Sequence, residues 1–474
     1  MTQPSKSNKR KDKSIEIEHV EQSLYAKQQK IYARHVVGFH RKIRRYTVWP
    51  LVLGFLLAPW LNWDGRQAIL WDLPSRQFHI LGITFWPQDF MLLSWLLIIS
   101  AFALFLFTAL FGRIWCGYSC PQTVWVWFYM AIEEWAEGSR NQRIKIDKSP
   151  LSVSELRGKL VKHLLWLLLA FITGFTFVGY FYPVRELATD FFIFTAGSWT
   201  YFWVFFFAAA TYGNAGFLRE QVCTFMCPYA RFQAAMFDQD TLTVSYDVNR
   251  GEPRGARKKS DTQAKQQLGD CVDCQACVQV CPTGIDIRDG ALQMECIDCG
   301  ACIDACDEVM EKVSYPKGLI RHATENELSG GTTHIVRPRL FLYIIGISVM
   351  ASLFGYNVIN RPQLAVDVIR DRGQLFTETS NGEIQNVYTL KIMNRSQVDS
   401  KYQVTVEGLE GIQLENIPPV RVQSGEIYSL PVQLTIDPDQ LKTTNNSISF
   451  RTVDQQDADN YTVEESRFIG PRNY

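Results

Sequence analysis

Eight of the twelve cysteines fall into two runs of one cadence. Cys271, Cys274, Cys277 and Cys281, followed by Pro282, form the first run. Cys296, Cys299, Cys302 and Cys306 form the second. The spacing C-x2-C-x2-C-x3-C is one by which a single chain holds two [4Fe–4S] clusters. Three thiolates on a tight loop cap three irons, and the fourth reaches the other cluster. On that rule one cluster takes Cys271, Cys274, Cys277 and Cys306, and the other takes Cys296, Cys299, Cys302 and Cys281. Zinc is a poorer reading, because it asks for four tetrahedral ligands, usually as two spaced pairs. Disulfides are poorer still, because an oxidised pair cannot ligate iron. The chemistry that follows is one-electron transfer.

The other four cysteines form two copies of C-x3-C-P. Cys116 and Cys120 follow Arg113 and precede Pro121-Gln122-Thr123. Cys223 and Cys227 follow Arg219 and precede Pro228. Positions i and i+4 share one face of a helix, and proline suits the first turn of a new one. Either geometry presents paired thiols. Each pair lies just past the end of an apolar stretch, and the two stretches run in the same direction. The copies therefore read as a parallel internal repeat that brings four thiols to one depth. Arg113 and Arg219 are expected to favour the thiolate. Three roles stay open: a soft-metal site such as copper, with Met226 as an added ligand; a third cluster; or inert buried thiols.

Something must position these groups, and apolar stretches supply it. Five candidate membrane helices run from about Tyr46 to Trp63, Phe90 to Phe111, Leu160 to Tyr182, Phe191 to Tyr212 and Leu340 to Val358. Each is near the roughly 20 residues needed to cross the hydrocarbon core. They carry almost no charge, whereas a soluble helix shows a polar stripe. The chain of 474 residues is 47% hydrophobic with a formal net charge of zero, which gives no sign of nucleic-acid binding. Lys9, Arg10, Lys11, Lys13, Arg41, Lys42, Arg44 and Arg45 mark the N-terminal tail as cytoplasmic. Arg113, Arg140, Arg143, Lys145, Lys148, Arg157 and Lys159 mark the loop after the second helix likewise. Five crossings then put the C-terminal region in the periplasm. No cleavable signal peptide is legible.

The expected domains follow. Residues 1–45 are a charged cytoplasmic tail, and 46–239 a membrane domain of four helices carrying both C-x3-C-P motifs. Residues 240–338 hold a polar linker with Arg250, Arg254, Arg257, Lys258 and Lys259, then an α+β cluster module of ferredoxin type at 266–315. Residues 339–358 form the fifth helix. Residues 362–474 alternate as short strands, among them Leu364/Val366/Val368, Tyr388/Leu390/Ile392 and Leu430/Val432/Leu434/Ile436, halted by Asp437-Pro438. About seven strands predict an all-β immunoglobulin-like sandwich. It has no cysteine or histidine and one methionine, Met393, which argues against a metal there. His40, His163, His322 and His334 read as isolated surface or interface residues.

Together these elements resemble the cytochrome c oxidase accessory proteins, the FixG/CcoG/RdxA family, over most of the chain. The Cys116–Cys120 motif with its Pro-Gln-Thr is also similar to a wider group of membrane iron–sulfur proteins, including quinol-dehydrogenase subunits. The helix and sandwich after the clusters favour the accessory family. The resemblance implies an oxidoreductase that reduces Cu(II) to Cu(I) during assembly of the cbb-type oxidase. Eight cysteines would relay electrons from a cytoplasmic donor, with Cys116, Cys120, Cys223 and Cys227 at the copper end. Oxidase subunits, copper-delivery proteins and membrane lipid would be the partners. Quinol oxidation, and a non-enzymatic scaffold for assembly, are the competing readings.

Overall fold

The computed structural model describes residues 30–471, apart from 64, 150–151, 257–267, 291–292, 372, 397, 416 and 442. Lys9, Arg10, Lys11 and Lys13, offered as topology marks, and Arg257, Lys258 and Lys259 of the expected linker lie outside the described residues.

Three helices are long and apolar enough to cross a membrane: Phe90–Phe111, Glu155–Val178 within the helix Val153–Val178, and Pro338–Ile359. They make this a membrane protein. Phe90–Phe111 matches its expected bounds. The fourth expected helix is corrected. Val184–Ile193 and Ser198–Leu218 are separate segments bent by 100°, one broken span at most. Phe194, at φ 64°, closes the first of them before Gly197.

The first expected helix also differs. It runs Phe39–Leu57, and its leading turns carry His40, Arg41, Lys42, Arg44 and Arg45, so composition alone does not make it a span. Yet its ends lie at opposite ends of the bundle. His40 and Arg41 amides donate to Asp304 in the cluster module, at 3.1 and 2.9 Å. Phe55 O accepts from Tyr180 Oη at 2.8 Å, beyond the far end of Val153–Val178. Nineteen residues rise about 28 Å, close to the thickness of the hydrocarbon core. The segment before it is no free tail. Arg34 N donates to Gln279 O at 2.7 Å, so the N-terminal arm lies along the cluster module.

The expected polar linker is likewise corrected. Thr243–Tyr246 is a buried strand paired antiparallel with Ile320–Ala323, Val244 opposite His322. Arg250 braces the module through Asp270 and the carbonyls of Pro316 and Lys317. Charges on either side hid a short alternation of apolar residues. Nor is His322 isolated: it packs on His40 with ring centroids 5.2 Å apart.

The C-terminal region is a sandwich of two antiparallel sheets. Nine strands are present among the described residues, two more than expected, because Thr377–Glu378 and Gln413–Leu414 are too short to alternate visibly. One sheet orders Gln413–Leu414, Ile427–Ile436, Ile384–Asn394 and Leu364–Arg370. The other orders Val420–Val422, Ser400–Glu407, Asn445–Asp454 and Tyr461–Ile469. Alternate residues face inward, and Tyr388, Tyr402, Phe450 and Phe468 fill the core between the sheets.

A small sheet, Ile69–Asp72, Gln77–Ile80 and Ile83–Phe85, joins the bundle to the sandwich. Gln77 Nε2 donates to Gly425 O at 3.2 Å, and Arg361 and Arg395 both pair with Asp89 beside it. In this sheet buried His79 bonds Thr84 Oγ1 at 2.9 Å. Burial, helped by Arg66, lowers its pKa from 6.5 to about 4. The unfolded imidazole binds a proton first, so its contribution is complete above pH 6.5 and is lost as pH falls towards 4. Amide protection across Leu70–Phe85 should therefore weaken between those values relative to a His79→Gln variant. Equal pH dependence of the two proteins would contradict this.

Candidate electron-transfer site

The two cysteine runs build the same loop twice. Asp273 and Gln275 have φ of 50° and 55°; the equivalent Asp298 and Gly300 have 51° and 68°. Left-handed residues at matched positions curl each loop around its cysteines before a helix begins, Ala276–Val280 in one copy and Ala301–Lys312 in the other. Gly300 is required, because a Cβ there would meet the His40 ring at 2.5 Å.

The last cysteine of each run interacts with thiols of the other loop. Cys306 lies within electrostatic reach of Cys277, Cys274 and Cys271. Cys281 lies within reach of Cys296, Cys299 and Cys302. A cavity lined by Cys277, Cys281, Cys296, Cys299 and Cys302, with Val244, Ile285 and Ile287, sits between the loops. Among the described residues no three His, Cys, Asp or Glu side chains close on a single-ion site. The donor chemistry and the cavity both fit iron–sulfur clusters. Burial pushes the Cys306 thiol up to about 12, so cluster assembly must displace protons.

The C-x3-C-P pairs also repeat each other in backbone. Four residues before each first cysteine, the chain breaks from its apolar helix at Gly112 (φ 58°, ψ −122°) and at Arg219 (φ 43°, ψ −111°). A short turn follows, Ile114–Tyr118 around Cys116 and the wide π turn Val222–Met226 around Cys223. Cys120 and Cys227 are the extended residues before Pro121 and Pro228, which open the next helices. The strained Arg219 is held by Glu133 Oε2 at 2.7 Å and Gly216 O at 2.9 Å.

The two pairs meet. Cys116 lies within electrostatic reach of Cys120 and Cys223, and Cys223 of Cys120 and Cys227. Gln122 Nε2 from the first motif donates to Asn214 O and Arg219 O of the second, at 3.0 and 3.1 Å. Gln233, after the second motif, accepts from Cys116 Sγ at 3.5 Å. At Cys116 and Cys223 the expectation of acidified thiols is overturned. Burial pushes Cys116 up to about 12 and Cys223 up to about 11, with neighbouring cysteines adding to it and Arg113 opposing it weakly. Arg219 instead serves buried Glu133, with Lys30 and Arg143. Met226 is exposed.

The thiol end of the bundle abuts the second cluster loop. Arg113 N donates to Asp298 Oδ2 at 2.8 Å, and its guanidinium to Cys296 O at 3.0 Å and to Met294 O. Gly117 packs so closely that a Cβ would meet Ile297 O at 2.7 Å. Asp298 Oδ1 also accepts from Val244 N at 3.0 Å. Gln122, Gln233, Asp298 and Asp304 escape sequence reading, since nothing in their spacing marks them. Their only signal is position beside a cysteine motif or inside the repeat.

Three family models match. A 4Fe-4S dicluster domain covers residues 218–325, a 4Fe-4S binding domain covers 93–125, and the Ig-like fold at the C terminus of FixG covers 354–471. The nitrogen fixation protein FixG of Rhizobium meliloti is 37% identical over 427 residues, 81% of this chain and 80% of its own. RdxB and RdxA of Cereibacter sphaeroides are 39% and 38% identical, covering 81% and 82% of this chain and 83% and 84% of their own. A crystal structure of a FixG-related protein from Vibrio parahaemolyticus aligns with 23% of this chain and 95% of its own, at 36% identity and a TM-score of 0.21. Repeated cysteine loops, apolar helices and a terminal sandwich thus coincide with relatives matched over four-fifths of their length, and the chain belongs to the FixG/RdxA/RdxB family of iron–sulfur electron-transfer proteins.

Proposed function

We propose that this protein is a multi-pass protein of the bacterial inner membrane that reduces Cu(II) to Cu(I) for assembly of a cbb-type cytochrome c oxidase. In this reading Cys271, Cys274, Cys277 and Cys306 hold one [4Fe–4S] cluster, and Cys296, Cys299, Cys302 and Cys281 hold a second. Clusters there supply one-electron transfer from a low-potential cytoplasmic carrier. Phe39–Leu57 is the fifth crossing, which puts the cluster module in the cytoplasm and the sandwich in the periplasm, facing oxidase subunits or copper-delivery proteins.

Cys116, Cys120, Cys223 and Cys227 take copper as substrate. The ion gains one electron, and the bound thiols release their protons to solvent. Soft thiolates prefer Cu(I), so binding favours the reduced ion. A two-thiolate Cu(I) site needs no third ligand. The observation that carries the reading is the abutment of Gly117 and Arg113, beside Cys116, on the loop of Cys296 and Cys299.

The test is anaerobic Cu(II) reduction by dithionite-reduced protein, with iron counted beside it. Cys116→Ser and Cys223→Ser should each slow reduction by about a hundredfold or more while about eight irons per chain remain. Undiminished reduction by a variant lacking all four of these cysteines would reject the copper site.

One observation favours quinol as an electron source. A cavity of about 310 Å³ is lined by Trp166 and Phe217 together with His163, Lys162, Glu133 and Glu220, two aromatic faces with polar groups able to fix a headgroup. Quinol-dependent reduction of the clusters would support it.

A further inference from the structure

Arg44 lies on the Phe39–Leu57 helix with one guanidinium nitrogen on Thr123 O, at 3.3 Å. Its Nε is shut off from water and has no hydrogen-bond partner among the described residues. Among the described residues the groups that act on its charge are Cys299 and Tyr118, and no carboxylate is among them. A half-buried cation with no carboxylate beside it among the described residues gains from a facing anion. Arg44, Cys223 and Cys299 line one cleft, which Glu134 and Glu220 also line, so the guanidinium shares a space with both a membrane thiol and the second cysteine loop.

The first loop has an arginine too, but a neutralised one. Arg288 Nη1 comes within 4.0 Å of Cys271 Sγ, yet the same guanidinium holds Asp286 and Asp273, each at 2.6 Å. Its charge is spent on carboxylates. Arg44 keeps its charge for the sulfurs.

We infer that Arg44 raises the reduction potential of the cluster held by Cys296, Cys299, Cys302 and Cys281, and so draws the electron to the cluster beside the membrane thiols. A thiolate-bound cluster gains one negative charge when it accepts one electron. Burial opposes that gain, and Cys299 among these four ligands is buried. A facing cation compensates, and charge near the sulfurs is among the factors that set such potentials. The inference rests on the two-cluster reading but not on copper.

The test is a redox titration of the purified full-length protein, followed by the paramagnetic signals of the reduced clusters. Arg44→Gln should shift one midpoint downward, disfavouring reduction about tenfold, which is 59 mV for one electron. The other midpoint should stay in place. Arg44→Lys, which keeps the charge, should remain within about threefold of the native value. Two unmoved midpoints in a fully loaded Arg44→Gln protein would overturn the inference. So would a loaded Arg44→Lys protein displaced by tenfold, since shape and not charge would then be decisive; this arm decides if the Gln variant loses iron. An iron count below that of two clusters in the native protein would instead reject the cluster assignment beneath it.

Discussion

Replacing Cys306 with alanine is expected to abolish the cluster of the first loop and spare that of its own. Iron should fall from about eight to about four atoms per chain. The reason is spatial. Cys306 is one helical turn beyond Cys302 in sequence, but the thiols acting on it are Cys277, Cys274 and Cys271. Cys281→Ala should do the converse, because that residue faces Cys296, Cys299 and Cys302. Pairing each variant with substitution of a loop cysteine separates the outcomes. Cys306→Ala combined with Cys274→Ala should lose no more iron than either alone, while Cys306→Ala combined with Cys299→Ala should lose nearly all. Were the first combination to strip all the iron, each run would be serving its own cluster and the exchanged assignment would be wrong.

The second large effect is expected at Gly117, where no cysteine changes. Under the proposed cupric reductase function, Gly117→Val should slow electron delivery to copper by at least tenfold with full iron content. A Cβ there would lie 2.7 Å from Ile297 O and 3.0 Å from Asp298 O. Both are backbone atoms of the second cluster loop, so neither can rotate aside, and overpacking of this kind costs about 1–3 kcal/mol. The cheaper relief is to part the thiol turn from the loop. Arg113 would then lose its bonds to Asp298 and Cys296. Stopped-flow oxidation of the reduced clusters by Cu(II), with iron measured on the same sample, reads the effect. A native rate would mean that this contact does not conduct.

Much of this arrangement was legible in the residues. The cysteine cadence announces cluster chemistry because ligand spacing is a local property, and period-two alternation from Leu364 to Phe468 announces the sandwich because one face of each strand is buried. The helix Phe90–Phe111 was legible to the residue, since it is apolar all round. Three features were not legible, for different reasons. Phe39–Leu57 mixes a charged end that serves the cluster module with an apolar end, and no hydropathy window separates the two uses. The strand Thr243–Tyr246 has only four residues, and its partner Ile320–Ala323 lies beyond both cysteine loops. The thiol pKa values depend on burial, which spacing does not encode. An arginine three or four residues upstream promised acidic thiols, but Arg219 turns to Glu133 and Arg113 to the carbonyls of Met294 and Cys296.

Asp89 has a mechanical meaning. It grips Arg361, just after the last membrane helix, and Arg395 inside the sandwich, while Gln77 reaches Gly425 at the sandwich's edge. The sandwich is therefore bracketed to the bundle rather than tethered by a string. Anything that seats on it is held at a set distance and tilt from the apolar helices, and a pull on it would be felt by them.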